Sequence, residues 1–420
     1  MTNVTPSVGR ADEQPSAALS DALEVLIWFG CAMLNAGDTA FRVREWMEKI
    51  AHKMGFDALS ASFALNSIVV SVRRGSQRAT MVREIGPPQI NAQQISELER
   101  LAEAFNGNQT PREIALNLSE IEAKPPRYSV ALIAMAMGAA CGAFAFLNGG
   151  SILEVVAAGI GGAIGQWLRS LLSRRRFNHY GLAVLCAVVA SGVYALIAIV
   201  SIHAGFGTAR HTAGFISSVL FLIPGFPLVA ALLDLLQYQT VVAVTRCAYS
   251  AMILLAAAFG LSFVAVVVGF ETARPQTFNL SEPMKLPLCA VASFAFGCGF
   301  AILYNSSIRV VIVVGLLALG ANELRLALYD AGIMLAPATF FGALAVGLIA
   351  SALHKPLNEP RIAVTAPSII VMVPGLYAFE AIALFNQGHM LDALQAAASC
   401  GFVIGAIAMG LTMARMLSER

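Results

Sequence analysis

Two dipeptides are the strongest places for chemistry in this chain. Pro224-Gly225 interrupts LFLIPGFPLVAALLDLL and Pro374-Gly375 interrupts IIVMVPGLYAFEAIALF, 150 positions apart (374 − 224). Proline removes a backbone donor and breaks the helical ladder, so each interruption frees carbonyls and amides within an apolar segment. Such groups are tolerated at membrane depth only where protein or a water-lined cavity satisfies them, and broken helices there commonly hold solutes. A cationic group would meet the freed carbonyls, and an anionic group would meet the positive helix N-termini. Pro224, Gly225, Pro374 and Gly375 are therefore candidate substrate contacts.

Ionisable groups inside apolar segments are costly and often functional. Glu380 lies six residues after Pro374, well inside its segment, and is the first candidate for proton coupling. Asp234, ten residues after Pro224, suits a solvated helix end first and proton coupling second. Arg246 has three readings: a partner for Asp234, a contact for a substrate carboxylate, or a cation snorkelling to the interface. Asn148 and Asn305 suit helix capping, with a substrate contact as the second reading, and Glu154 and Glu271 suit interfacial positions. His52, Asp38 and Ser60 fit no nucleophile spacing, and His52 suits a solvated helix face. No GxxxxGKS loop is present, which disfavours ATP-driven transport. Seven cysteines show neither disulfide nor metal spacing, so neither cofactor nor metal is expected.

The elements that must position these residues follow from composition. The chain of 420 residues is 58% hydrophobic and 12% charged, with a mean hydropathy of +0.73, which implies an integral membrane protein surrounded by lipid. A net charge of +2 gives no reason to expect a nucleic-acid partner. Residues 1–19 carry no apolar core and read as a disordered tail without a signal peptide. Residues 20–125 read as a small soluble α+β domain: an amphipathic helix too short to span, then ALSASFAL, SIVVSV and ATMVREI as an antiparallel meander, a polar helix over 93–105 and a Pro/Asn/Gln-rich connection. From Tyr128 about ten segments reach spanning length, at 128–147, 152–172, 181–202, 212–235, 243–270, 286–304, 308–327, 333–353, 366–386 and 391–416. The seventh is the weakest, because Asn322, Glu323 and Arg325 interrupt it. Arg169, Arg174, Arg175, Arg176, Arg309, Lys355, Arg361, Arg415 and Arg420 fall on one side of this count, against Arg210, Arg274, Lys285 and Arg325 on the other. The richer side is expected to be cytoplasmic and to hold both termini.

The two halves, 128–271 and 286–417, also match one another. ACGAFAFLNGGS resembles GCGFAILYNSS, and GQWLRSLL resembles NELRLAL, with Leu168-Arg169 set against Leu324-Arg325. Five spans is an odd number, so a repeat of this kind must be inverted, with its functional site between the halves. The fold class is thus mainly α, a polytopic membrane protein of about ten helices in two inverted five-helix repeats behind a soluble α+β domain.

GCAMLNAGDTAFRVREWMEKIAHKMGFDALSASFALNSIVVSV resembles the signature of the threonine/serine exporter family, carried here by Gly37, Arg42, Val43, Glu45, Met47, Ile50, Ala51 and Gly55. Arg44 departs from it, since an acidic residue is usual there. The resemblance implies a cytoplasmic N-terminal domain, ten spans with Pro-Gly in the fourth of each unit, and export of threonine and serine across the inner membrane in exchange with protons. Two alternatives stand beside it: a membrane-anchored scaffold whose activity lies in the N-terminal domain, and an exporter of another small organic acid. Oligomeric state is left open.

Overall fold

The computed structural model describes residues 17–86, 89–175, 177–205, 212–270 and 282–418. Residues 1–16 of the tail, Glu271 and Arg176, Arg210, Arg274 and Arg420 lie outside the described residues. The N-terminal unit is built from α1 (Ala17–Asn35), α2 (Ala40–Lys53), β1 (Ala58–Phe63), β2 (Ser67–Arg74), β3 (Gln77–Glu84), α3 (Ala92–Ala104) and α4 (Pro111–Ala123). The strands form the expected antiparallel meander in the order β1-β2-β3. Gly75, at φ +60° in the β2–β3 turn, takes a conformation that L side chains rarely adopt.

Two expectations for this unit change. Residues 111–123, read as a connection, form α4, which starts with Pro111 behind a capping box of Thr110 and Glu113. Helix α1 is 19 residues long, not too short, and is apolar enough to qualify as a span. It is nevertheless the core helix of this unit, burying Leu19, Leu23, Leu26, Phe29 and Met33 among residues of α2, α3, α4 and the sheet.

The remaining helices are α5 (Val130–Leu147), α6 (Ile152–Leu172), α7 (His179–His203), α8 (Thr212–Ser217), α9 (Gly225–Leu236), α10 (Thr240–Val268), α11 (Glu282–Leu303), α12 (Ile308–Asp330), α13 (Leu335–Leu357), α14 (Arg361–Ile369), α15 (Gly375–Asn386) and α16 (Met390–Ser418). Among the described residues nine helices are long and apolar enough to cross a membrane, α1 included, or ten if the bent pair α14–α15 is taken as one span. The segment expected to be weakest is the unbroken α12. Outward-facing Phe259, Phe263, Val266, Leu196 and Phe402 are exposed as lipid-facing side chains would be.

The series α5, α6, α7, α8–α9, α10 recurs as α11, α12, α13, α14–α15, α16, each with the same neighbours in its own half. Helices α9 and α15 begin and end 150 positions apart, as do α10 and α16. Packing repeats at atomic level. A methyl group on Gly260 of α10 would meet the Val184 carbonyl and Ala187 of α7, and one on Gly410 of α16 would meet the Phe340 carbonyl and Ala343 of α13. Such small-residue contacts let backbones approach closely where lipid offers no hydrophobic drive.

Candidate functional site

Both Pro-Gly dipeptides break their helices, and they do so in the same way. Pro224 has φ −80°, ψ 56° and Pro374 has φ −80°, ψ 57°. The following glycine amide turns back to the carbonyl two residues earlier, Gly225 N to Ile223 O and Gly375 N to Val373 O, each at 2.8 Å. These are inverse γ-turns with proline in the centre. Each follows a single 3-10 turn, Leu220–Leu222 or Ile370–Met372, and each opens a twelve-residue helix, α9 or α15. The bend at the second break is 47°.

The breaks also touch. A methyl on Gly225 would stand 3.6 Å from Ile370 and Val373, and one on Gly375 would overlap the Cδ1 methyl of Ile223. Each break therefore packs on the other through residues just before the proline. Around them Phe221, Leu222, Val371 and Met372 are buried, and the aromatic side chains Phe296, Phe300, Tyr304 and Phe226 follow one another along α11 to the start of α9. The freed Phe221 carbonyl is taken by Arg169 Nη1 at 2.8 Å, and the Pro374 carbonyl faces Cys400 Sγ at 3.8 Å. Because Gly225 has room and Gly375 does not, Gly225→Ala is expected to be neutral. Gly375→Ala should cost about 1–3 kcal/mol, the usual scale of overpacking. Thermal unfolding of the two variants in detergent checks this; equal behaviour would argue against the contact.

Glu380 lies in α15, half-buried, on the same helix face as Tyr377 three residues before it. The other sequence candidates are drawn elsewhere. Asp234 and Arg246 form a buried ion pair at 2.7 Å, the first of the three readings of Arg246. The pair is a joint between the N-terminal unit and the helices: Asp234 Oδ1 accepts from Phe41 N at 3.2 Å, and Arg246 Nη2 donates to the Asp38 carbonyl at 2.7 Å. Asp234 is fully buried, which departs from a solvated helix end. Asn305, at φ 61°, accepts from Arg127 N and donates to Asn91 and Gln93, while Asn148 donates to the Phe144 carbonyl of its own helix. Neither asparagine has a bond to the breaks. Glu154, expected at an interface, is buried and closes a capping box with Ser151 while accepting from Gly214 N of α8 at 3.1 Å. His52 is exposed and Asp38 is held by Arg42, so these two do not form a catalytic set.

Sequence reading did not find the rest of this joint. Arg44, the departure from the family pattern, donates to the Ala61 carbonyl at 2.6 Å and to Gln239 at 3.2 Å. Ser96 bonds Glu359, Arg100 donates to the Asn358 carbonyl, and Arg415 pairs with Glu45 at 2.7 Å. Beside it lies a cavity of about 330 Å³, lined on the N-terminal side by Arg42, Glu45, Lys49 and Glu99 and on the helix side by Ser351, His354, Thr365 and Thr412. Burial, reinforced by Asp38 and opposed by Arg42, holds the Glu99 carboxyl above the usual carboxylate range. Removing one partner of a buried pair strands the other, so Arg246→Ala should weaken the joint by about 3–5 kcal/mol. Limited proteolysis between residues 123 and 130 should then accelerate; an unchanged cleavage rate would count against the joint.

The molecule is thus a polytopic helical membrane protein with paired broken helices, the architecture of a transporter. Two family models match it: ThrE, described as "Putative threonine/serine exporter", over residues 24–268, and ThrE_2, described as "Threonine/Serine exporter, ThrE", over residues 289–417. The chain belongs to the threonine/serine exporter family. It is 25% identical over 414 residues to "Probable threonine/serine exporter" of Mycobacterium tuberculosis, covering 91% of this chain and 75% of that protein. It is 24% identical over 246 residues to "Probable succinate transporter subunit YjjP" of Escherichia coli, covering 58% of this chain and 93% of that protein. The Klebsiella aerogenes protein of the same name is also 24% identical, over 244 residues. No solved structure matches the chain.

Proposed function

We propose that this protein is a secondary transporter that exports threonine, serine and similar small amino acids from the cytoplasm, driven by the proton-motive force. The observation that carries the reading is the contact between two Pro-Gly breaks of identical backbone geometry. A passive anchor requires no such pair, whereas a carrier needs unpaired backbone and helix ends where its solute crosses. Halves 128–271 and 286–417 act as two inverted five-span units behind a cytoplasmic domain of residues 20–125, and rocking one against the other at the crossing exposes the site to each side in turn. Family membership supports the substrate class. Glu380 carries the coupling proton, and Asp234 and Arg246 serve the joint with the N-terminal domain.

The sides of the membrane follow from the same count. Gln239, Asn305, Asn358 and Arg415 all touch the N-terminal unit, as expected if alternate loops and the C-terminus share its side. Both termini are then cytoplasmic in the inner membrane. Reporters fused at residue 125 and after residue 418 should behave as internal and one at Gly149 as external; three identical responses would break the five-span units.

A second reading, export of a small dicarboxylic acid, draws support from the relatives named as succinate transporter subunits. Vesicles carrying the purified protein, preloaded with labelled threonine or with labelled succinate, separate the two. An outward threonine flux that rises when an inward proton gradient is imposed supports the first. Flux of succinate but not threonine would establish the second, and flux of neither would defeat the transport reading.

A further inference from the structure

The segments GQWLR and NELR, matched between halves by their Leu-Arg pairs, place an amide side chain three residues before an arginine in each: Gln166 and Arg169 on α6, Asn322 and Arg325 on α12. Residues three apart share a helix face. Both amides are buried in the fold, Gln166 with 4% and Asn322 with 0% exposure, and each leaves its side-chain carbonyl oxygen without a hydrogen-bond partner. Their amino groups are engaged, Gln166 with Ser170 and Asn322 with Ser293. A buried acceptor left open twice, at matched positions, is free to take a hydrogen bond from a donor outside the fold.

Each pair stands beside one break. A methyl on Gly165 would strike the Phe221 ring, and Arg169 donates to the Phe221 carbonyl. On the other side, Gly342 of α13 sits between the Ala321 carbonyl of α12, next to Asn322, and the sulfur of Met372, two residues before Pro374. The two sets differ in one respect. Arg169 is latched to backbone, whereas Arg325 has a buried Nε without a partner. Glu323, two positions from Arg325 and so off that face, is matched in the first half by the exposed Trp167 and is not part of the repeated set.

We propose that Asn322 and Arg325 form a binding half-site for an α-amino acid, with the guanidinium holding the carboxylate and the Asn322 carbonyl oxygen accepting from the ammonium. Gln166 and Arg169 form its counterpart, closed here by the Phe221 carbonyl. This rests on the transport reading above and adds its recognition chemistry. A guanidinium presents a planar fork that matches a carboxylate, and an amide oxygen is a neutral acceptor suited to an ammonium. A zwitterion whose two charges flank one carbon fits side chains about 5–6 Å apart on one helix face.

The test uses full-length protein in vesicles, with threonine and succinate as probes. Arg325→Gln should raise the KM for threonine at least tenfold, and Arg325→Lys, which keeps the charge but loses the fork, should recover part of that loss. Asn322→Leu should raise the KM for threonine while leaving any inhibition by succinate, which has no ammonium, unchanged. If Arg325→Gln does not accumulate in the membrane, a KM for threonine shifted by Arg325→Lys supports the half-site just the same. Wild-type KM in every arginine variant that accumulates, with wild-type threonine flux present, overturns it. If the wild type carries succinate and not threonine, the substrate reading falls, and Arg325 is then judged by the succinate KM alone.

Discussion

Replacing both Pro224-Gly225 and Pro374-Gly375 by Ala-Ala is expected to reduce threonine efflux to the rate of empty vesicles while the protein still accumulates in the membrane. Alanine is the best helix former and has the backbone amide that proline lacks, so the 3-10 turns before α9 and α15 can run on into those helices. Two inverse γ-turns would then be lost, and with them the open helix ends. At the second break the added methyl would also overlap Ile223. Because the new bonds are local and favourable, folding should survive where transport does not. Wild-type efflux by a well-inserted quadruple substitution would remove the main support for the transport site.

Glu380→Gln is expected to abolish gradient-driven net export and to spare threonine exchange. The substitution keeps volume and hydrogen bonding but removes the releasable proton. Glu380 sits less than two helical turns after Pro374, half-buried on the same helix face as Tyr377, where a charge is costly unless it is compensated or titrates. Glu380→Asp should move the pH profile of export and leave substantial activity. Flux and exchange measured on the same vesicles separate coupling from binding. Unchanged gradient-driven flux in Glu380→Gln would exclude this residue as the proton carrier.

The breaks were legible because their signal is local. A Pro-Gly inside an apolar run states a helix end, and α9 and α15 each begin at the glycine of that dipeptide. The meander was legible from the same kind of signal, short β-prone runs parted by turn residues. What stayed hidden depends on segments far apart in sequence. Nothing periodic announces that Asp38 and Phe41 will meet Arg246 and Asp234, or that Arg415 will meet Glu45. Helix α1 misled because apolarity alone does not say whether lipid or a sheet will cover it. Helix α4 was missed because Pro111 was read as part of a connection, although Pro at the first helical position behind Thr110 is a start signal. Gln166 and Asn322 lay in the matched segments, but their open acceptors emerge only once the neighbouring helices are in place.

The claim that substrate passes where the two breaks meet is tested most directly at Ile223, the side chain that fills the space over Gly375. In an Ile223→Cys variant shown to export threonine, the rate of modification by a small thiol reagent is measured with and without saturating threonine, against the parent protein as background. Threonine should slow the modification by occupying the crossing or by shifting the halves around it. A rate that is the same with and without threonine, in a variant that still transports, would contradict the account.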